Sequence, residues 1–433
     1  MVRAVPAIRR DPLAFLAGLV GRYGDLVAFP MPRTPVLLAN TVPAARRVLV
    51  ERHAGYTKRT AQYGALSLVT GTGLLTADGE EWRHRRRIDQ PAFHHSGLEE
   101  VASQAVAAAQ RVRARVPAGG GVVDVDAAVL QATLEVVGRT LFGGAVAQDG
   151  ERVVAAVLEA LDVVVSRVRT PAVVPAAVPT PRNRRLARAV RTIDQAAADV
   201  VAHRRQAGVR DGDGDLLALL LRAADAGELT ATQVRDELVT MVIAGHETVA
   251  SAMSWTLHLL ATHPGEQARV HAELDEVLGG RAPAWADLPA LTRTRAVLDE
   301  SLRLYPPAWV VSRRAVADDD IDGVAVPAGT LVIISPWLLH RRPDVFAEPE
   351  AFRPDRFLGE AARTVPRGAY LPFGAGPRLC IGRDFALVES VLVLAELLRD
   401  HAVLPVPGHR VRAEALVTMR PHGGLPLRVL PRG

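Results

Sequence analysis

Cys380 is the only cysteine among 433 residues, so it cannot be half of an internal disulfide. It lies in the run Phe373-Gly374-Ala375-Gly376-Pro377-Arg378-Leu379-Cys380-Ile381-Gly382, directly before a long apolar segment. A lone cysteine is in most proteins a small buried hydrophobe. Here the setting argues for chemistry instead. Residues 381–399 have the length and composition of a helix, which puts the sulfur near a helix N-terminus behind a glycine-rich bend. Unpaired backbone N–H groups and the positive dipole end favour a thiolate over a thiol there. Gly374, Gly376 and Gly382 permit positive φ or a close approach of backbone to a flat ligand, and Pro377 stiffens the loop. Arg378 brings a fixed cation two residues from the sulfur.

This pattern, F-G-x-G-x-R-x-C-x-G, resembles the heme-binding loop of the cytochrome P-450 family at each defining position. The resemblance implies that Cys380 is the proximal thiolate ligand of a heme b iron. It also implies that Phe373 packs near the sulfur, that Arg378 pairs with a heme propionate, and that Gly374 and Gly382 belong to the cofactor-binding loop. Thiolate ligation pushes electron density onto iron and favours O–O cleavage.

Other segments can be compared with the family in chain order. Glu300 and Arg303 stand at i and i+3 in a helical stretch ended by Pro306 and Pro307. Spacing alone describes an exposed ion pair worth well under about 1 kcal/mol. Their resemblance to the family's E-x-x-R implies a buried pair instead, joined by Arg356. Upstream, Ala244-Gly245-His246-Glu247-Thr248 interrupts a helical pattern running from about 230 to 263. Glycine and threonine are poor choices for a helix interior and suit a local distortion that opens a groove. The segment is similar to the family's oxygen-binding A-G-x-E-T, which implies that Glu247 and Thr248 deliver protons to bound dioxygen and that Ala244 and Gly245 adjoin the cofactor.

Trp82-Arg83-His84-Arg85-Arg86-Arg87 is the densest basic run, ordinarily a solvated helix face. It resembles the family's W-x-x-x-R helix, so Trp82 and Arg86 are expected at the propionates and the other arginines outside. Arg313 matches the family's R-x-A and is expected on the other propionate side, with Arg314 as the alternative by a one-residue shift. Arginine suits this work because its planar fork binds carboxylates in two places. Family position also implies an aliphatic substrate pocket walled by Leu66, Leu74, Leu75, Val164, Ala244, Val310, Val311 and Met419, which would grip by burial.

Competing motifs fail on inspection. His246-Glu247 begins a zinc-protease pattern, but position 250 is Ala. Asp211-Gly212-Asp213-Gly214-Asp215 lacks the turn glycine and closing glutamate of a calcium loop and reads as a loop between helices. Gly119-Gly120-Gly121 lacks a phosphate-loop lysine and reads as a turn.

No low-complexity linker or internal repeat divides the chain, so one domain over 1–433 is expected. The expected fold is mainly α with a small β region: helices at 151–168, 183–206, 230–263 and 381–399, strands near 26–39, 306–335 and 403–430. No stretch reaches the roughly 18 apolar residues of a membrane-spanning helix, and with a single cysteine a cytoplasmic protein without a membrane anchor is expected. Lys58 is the only lysine in a Lys+Arg total of 52, a skew that points to a GC-rich genome.

The resemblance implies a soluble bacterial monooxygenase that inserts one atom of O2 into a C–H or C=C bond of an apolar small molecule. About thirty residues follow the last helical segment, too few for a flavin or iron–sulfur module. Electrons from NAD(P)H are therefore expected through a separate ferredoxin and ferredoxin reductase, with the chain a monomer and no nucleic acid involved. A peroxygenase or isomerase on the same heme site, or a heme-binding sensor without turnover, are the rival readings. Glu247 and Thr248 weigh against the first two, which need no proton relay. Within the family the pattern resembles terpenoid oxidases of the pentalenene-oxygenase kind, with fatty acids and polyketides as other substrate classes.

Overall fold

The computed structural model describes residues 7–8, 10–31, 34–143, 150–168, 174–175, 177–210 and 212–432. Helices form most of it and strands are confined to small sheets, as the composition pattern suggests. The helix Ala231–Thr262, here the central helix, runs through the core. It starts at a reciprocal capping box in which Thr230 and Gln233 each accept from the other's backbone N–H. Its middle is buried on nearly every side, so its apolar residues need no single stripe, as expected of a core helix. Trp255 stacks on Tyr305 with ring centroids 4.0 Å apart. That contact sets the central helix against the end of the helix Thr292–Leu304.

The main sheet has five strands in the order Leu26–Met31, Thr34–Ala39, Leu331–Ile334, Val311–Ala315, Tyr56–Thr57. Thr34–Ala39 and Leu331–Ile334 are parallel, with Val36 opposite Leu331; the other pairs are antiparallel. A three-stranded sheet joins Gly121–Asp124, Pro426–Pro431 and His401–Pro405. Among the described residues two short hairpins complete the β structure: Asp319–Ile321 with Val324–Val326, and Ala413–Ala415 with Met419–Pro421.

Two local expectations change. The glycine run 119–121 is a turn only in part, because Gly121 already begins a strand paired with Pro426–Pro431. Gly120 has φ +80°, and a Cβ there would meet Val429 O at 2.6 Å. The expected break at Ala244–Thr248 is also missing, since the central helix continues unbroken from Ala231 to Thr262. In the aspartate-rich loop, Asp213 and Asp215 bind Arg204 at 3.0 and 2.6 Å, and Asp215 caps the helix Leu216–Asp225. Asp211 lies outside the described residues.

Candidate active site

The Cys380 loop is shaped by its glycines. Gly374 and Gly376 have φ of +72° and +69°, and a Cβ on Gly376 would sit 2.1 Å from Leu49 O. Gly382 has φ −91° and marks the helix cap, so unlike the other two it owes nothing to positive φ. The Cys380 N–H donates to Phe373 O at 3.0 Å, closing the loop on itself. The following helix is Arg383–Leu398, starting two residues later than its composition suggests.

The thiol is accessible at its surface, yet protein encloses it so densely that burial, the largest influence, pushes its pKa up. A side chain on the wall of an interior cavity has both properties. The Gly382 backbone, Arg86 and Arg383 pull the other way. Burial therefore outweighs the helix terminus that the sequence suggested would favour a thiolate. In such surroundings the thiolate form needs a cation at the sulfur, and a metal-bound thiol is deprotonated outright.

Four cationic side chains converge nearby. Arg86 donates to Leu379 O, the carbonyl beside Cys380, at 2.9 Å. Arg378 bonds Ala77 O at 2.9 Å and pairs with Asp78, while lying 4.5 Å over the Trp82 ring. Arg313 is buried and bonds the Tyr63 hydroxyl and Ser312 O. Arg314 leaves the strand on the other side, toward Arg59 O and Gly329 O, because successive strand side chains alternate faces. The fourth cation is Lys58, whose Nζ donates to Leu75 O at 2.7 Å and sits 4.9 Å over the Tyr63 ring.

Burial, and then Arg313 and Arg378, hold Lys58 well below an ordinary lysine pKa; Asp78 opposes them. Lys58 and Arg378 thus share one carboxylate, Asp78, with the Arg313 guanidinium acting on both. That surplus of positive charge beside an enclosed thiol fits a group carrying two carboxylates and a metal cation. Sequence reasoning missed Lys58 as a member of this cluster. Its one signal was being the sole lysine where arginine is otherwise used.

The basic helix Gly79–Asp89 divides its arginines unexpectedly. Arg83 and Arg87 are exposed, but Arg85 is 1% exposed, correcting the outward placement expected for it. It reaches Glu237 on the central helix at 2.8 Å and Glu81 at 3.0 Å.

On the central helix, Ala244, Gly245 and Thr248 are only half-buried between fully buried neighbours. At i and i+4, Ala244 and Thr248 share one face, and the Thr248 hydroxyl donates back to Ala244 O at 2.7 Å. This back-bond satisfies the hydroxyl within a helix that stays unbroken. At Gly245 a Cβ would meet Val137 Cγ2 at 3.0 Å. Close packing on the helix Val125–Phe142 is thus one reason for a glycine here. Glu247 is buried, and burial raises its pKa to about 7 against the pull of Arg420 and the Thr418 hydroxyl. Burial lowers His246 to about 4, and its Nδ1 bonds Val242 O at 2.8 Å.

Glu300 and Arg303 are fully buried and joined by two bonds, 2.7 and 2.8 Å. Arg356 reaches Glu300 at 3.2 Å. Arg303 also donates to the carbonyls of His340, Pro349 and Ala351, which rules out the exposed pair that spacing alone described.

A model of the cytochrome P450 family matches residues 5–423. The chain belongs to the cytochrome P450 family. It is 37% identical over 410 residues to cyclooctat-9-en-7-ol 5-monooxygenase of Streptomyces melanosporofaciens, covering 93% of this chain and 87% of that protein. It is 34% identical over 429 residues to pentalenene oxygenase of Streptomyces avermitilis, covering 98% and 94%. The crystal structure of CYP175A1 from Thermus thermophillus matches 98% of this chain and 96% of that one, with a TM-score of 0.79 at 32% identity.

The chain is therefore a heme-thiolate monooxygenase of P450 fold, using O2 and electrons from NAD(P)H through redox partners. Among the described residues no helix is long and apolar enough to cross a membrane.

Of the eight residues expected to wall the P450 substrate pocket, Ala244 lies on the half-buried face of the central helix and the other seven fall into three packing groups. Leu66, Leu74, Leu75 and Val164 belong to the large core that includes the central helix. Val311 packs with the main sheet. Val310 and Met419 join Leu13, Leu16 and Trp309. Met419 is tied to the central helix through its carbonyl, which accepts from Ser251 Oγ at 2.5 Å and Trp255 Nε1 at 2.9 Å.

Proposed function

We propose that this P450 oxygenates an apolar terpenoid in secondary metabolism, with Cys380 as the iron ligand and an acidic ferredoxin and its reductase as electron source. The observation that carries the reading is the enclosed, surface-accessible Cys380 thiol beside the cation-rich cluster of Lys58, Arg86, Arg313 and Arg378. The relatives named for cyclooctat-9-en-7-ol and pentalenene support the substrate class.

Heme, when bound, supplies the activation of dioxygen. The chain's own work is to bind, orient and exclude. Cys380 would hold the metal, while Arg86, Arg313, Arg378 and Lys58 would take the propionates. Leu66, Leu74, Leu75 and Val164 belong to an apolar core that binds by burial and rejects charge. Thr248 presents its hydroxyl on the half-buried face of the central helix, and Glu247, with a pKa near neutrality, can hold a proton or release it. Arg83 and Arg87 border an open groove with Trp82, Gln90 and His94, a surface whose charge suits an acidic partner.

The test has two arms. Purified protein should give the red-shifted Soret band of a reduced, CO-bound thiolate heme, and Cys380→Ser should lose it; a band that survives rejects the ligand assignment. Spin-state titration with cyclic terpenes, fatty acids and polyketides, followed by product analysis, should favour the terpenes. Preference for a fatty acid would overturn the substrate class alone.

A further inference from the structure

Glu247 is buried with one carboxyl oxygen, Oε2, lacking any hydrogen-bond partner. Its other oxygen stands 3.9 Å from Arg420 Nη1, within electrostatic reach but beyond hydrogen-bond distance. Arg420 is itself committed elsewhere: its Nη2 binds Asp126 Oδ2 at 2.5 Å. Asp126 is buried, and its Oδ1 accepts from Ser254 Oγ at 2.9 Å.

One guanidinium therefore stands between two buried carboxyl groups, bonded to one and held short of the other. Its position is fixed by the chain, because the carbonyl of the preceding residue, Met419, is anchored to Ser251 and Trp255 of the central helix. Arg420 and Asp126 are the charged groups acting on Glu247, and they act in opposite directions. The Thr418 hydroxyl adds a weaker downward pull, and neighbouring His246 is kept neutral by burial.

We infer that Arg420 is a positioning residue for oxygen activation, holding the Glu247 carboxylate between proton deliveries and setting how readily it recharges. The inference rests on the proposed relay through Glu247 and Thr248. In each cycle the Glu247 carboxyl gives its proton toward the Thr248 side and becomes a carboxylate. Arg420 offsets that charge, and a proton from water restores the acid. Asp126 tempers the guanidinium: were Arg420 free to bind Glu247 directly, the carboxylate would be held too firmly to be reprotonated near neutrality.

The two neighbours predict shifts of opposite sign. In the full-length, heme-loaded protein, the protonated-carboxyl band of Glu247 can be followed by infrared difference titration, assigned by its loss in Glu247→Gln. Arg420→Gln should raise the proton affinity of Glu247 by about tenfold or more, one pH unit on the titration, and Asp126→Asn should lower it. Arg420→Lys, which keeps the charge, should stay nearer the parent protein. The pH profile of product formed per NADH should move in the same directions.

If Glu247→Gln leaves coupling unchanged, the relay reading itself fails. If Glu247→Gln uncouples the enzyme while the Glu247 titration stands still in Arg420→Gln and Asp126→Asn, Arg420 is only structural and the inference is overturned. Should Arg420→Gln fold poorly, Asp126→Asn and Arg420→Lys carry the test, and an unmoved Glu247 titration in Asp126→Asn rejects it.

Discussion

Arg85 Nη1 donates to Glu237 Oε1 at 2.8 Å with both side chains sealed from solvent. The other Glu237 oxygen accepts from the Leu74 N–H at 3.0 Å. One ion pair thus ties the basic helix, the central helix and the loop carrying Leu74 and Leu75. Its Coulomb attraction is strengthened by burial, but so is the cost of leaving either member alone.

Arg85→Ala should therefore destabilise the fold by about 3–5 kcal/mol, the usual result of stranding a buried charge. Arg83→Glu, on the exposed face, should stay within about 0.5 kcal/mol of the parent. Urea denaturation of both variants checks this. Similar midpoints for the two would mean that the Arg85 pair contributes nothing to the core.

The exposed arginines carry a separate expectation. Charge reversal at Arg83 or Arg87 should slow reduction by an acidic ferredoxin, and more so at low ionic strength, because such steering is screened over about 8–10 Å at physiological salt. Dithionite reduction and substrate binding should not change. Stopped-flow rates indifferent to salt and to both reversals would remove this face from electron transfer.

Behind the cysteine loop, Arg303→Ala should leave Glu300 buried beside Arg356 alone and free three backbone carbonyls. A loss of about 3–5 kcal/mol, a large share of a typical stability margin, is expected, with heme-poor or insoluble protein. Heme content and melting temperature report it; fully loaded protein with parental melting contradicts it.

What was legible in the sequence had a strong local code. The Cys380 loop is contiguous, and the long helices announce themselves by composition and length. The partition of the basic helix was not legible. Arg83, Arg85, Arg86 and Arg87 offer no apolar periodicity, and what draws Arg85 inward is Glu237, more than 150 positions away. Lys58, Asp78 and Arg378 meet for the same non-local reason. The close packing of Gly245 was not legible either, because a helical glycine signals either distortion or close packing, and the approach of Val137 from another helix shows the second. The expected pocket wall spreads over three packing groups because its members come from separate elements, whose docking no periodicity encodes.

The sealed histidines bear on acid stability. His340 is fully buried between Arg303 O, 3.2 Å from its Nδ1, and the Leu371 N–H, which donates to its Nε2 at 2.8 Å. This geometry suits only the neutral ring, and burial lowers its pKa to about 3. An unfolded histidine titrates near 6.5, so below that pH the unfolded chain binds a proton that the folded one refuses. The stabilisation is complete above about pH 6.5 and is lost as pH falls toward 3, at up to about 1.4 kcal/mol per unit. His246 and His258, each lowered to about 4, add to the same slope. Urea midpoints between pH 7 and 4, about the range those values span, should fall steeply, and His340→Gln should be less steep by about one proton.

Thr248 gives the sharpest separation of binding from chemistry. Its hydroxyl is held by Ala244 O at 2.7 Å on the half-buried face of the central helix, so Thr248→Ala removes a polar group without opening the apolar core. Substrate-induced spin shift should persist. Product formed per NADH should fall, with hydrogen peroxide making up the difference, because a positioned proton-transfer group commonly contributes about 10²–10⁴-fold. Thr248→Ser, which retains the hydroxyl, should recover most of the coupling. Measuring product, peroxide and NADH in one assay decides the matter: if Thr248→Ala keeps both rate and coupling, the hydroxyl has no part in proton delivery, and a peroxide-driven or isomerising reaction at the same heme becomes the better account.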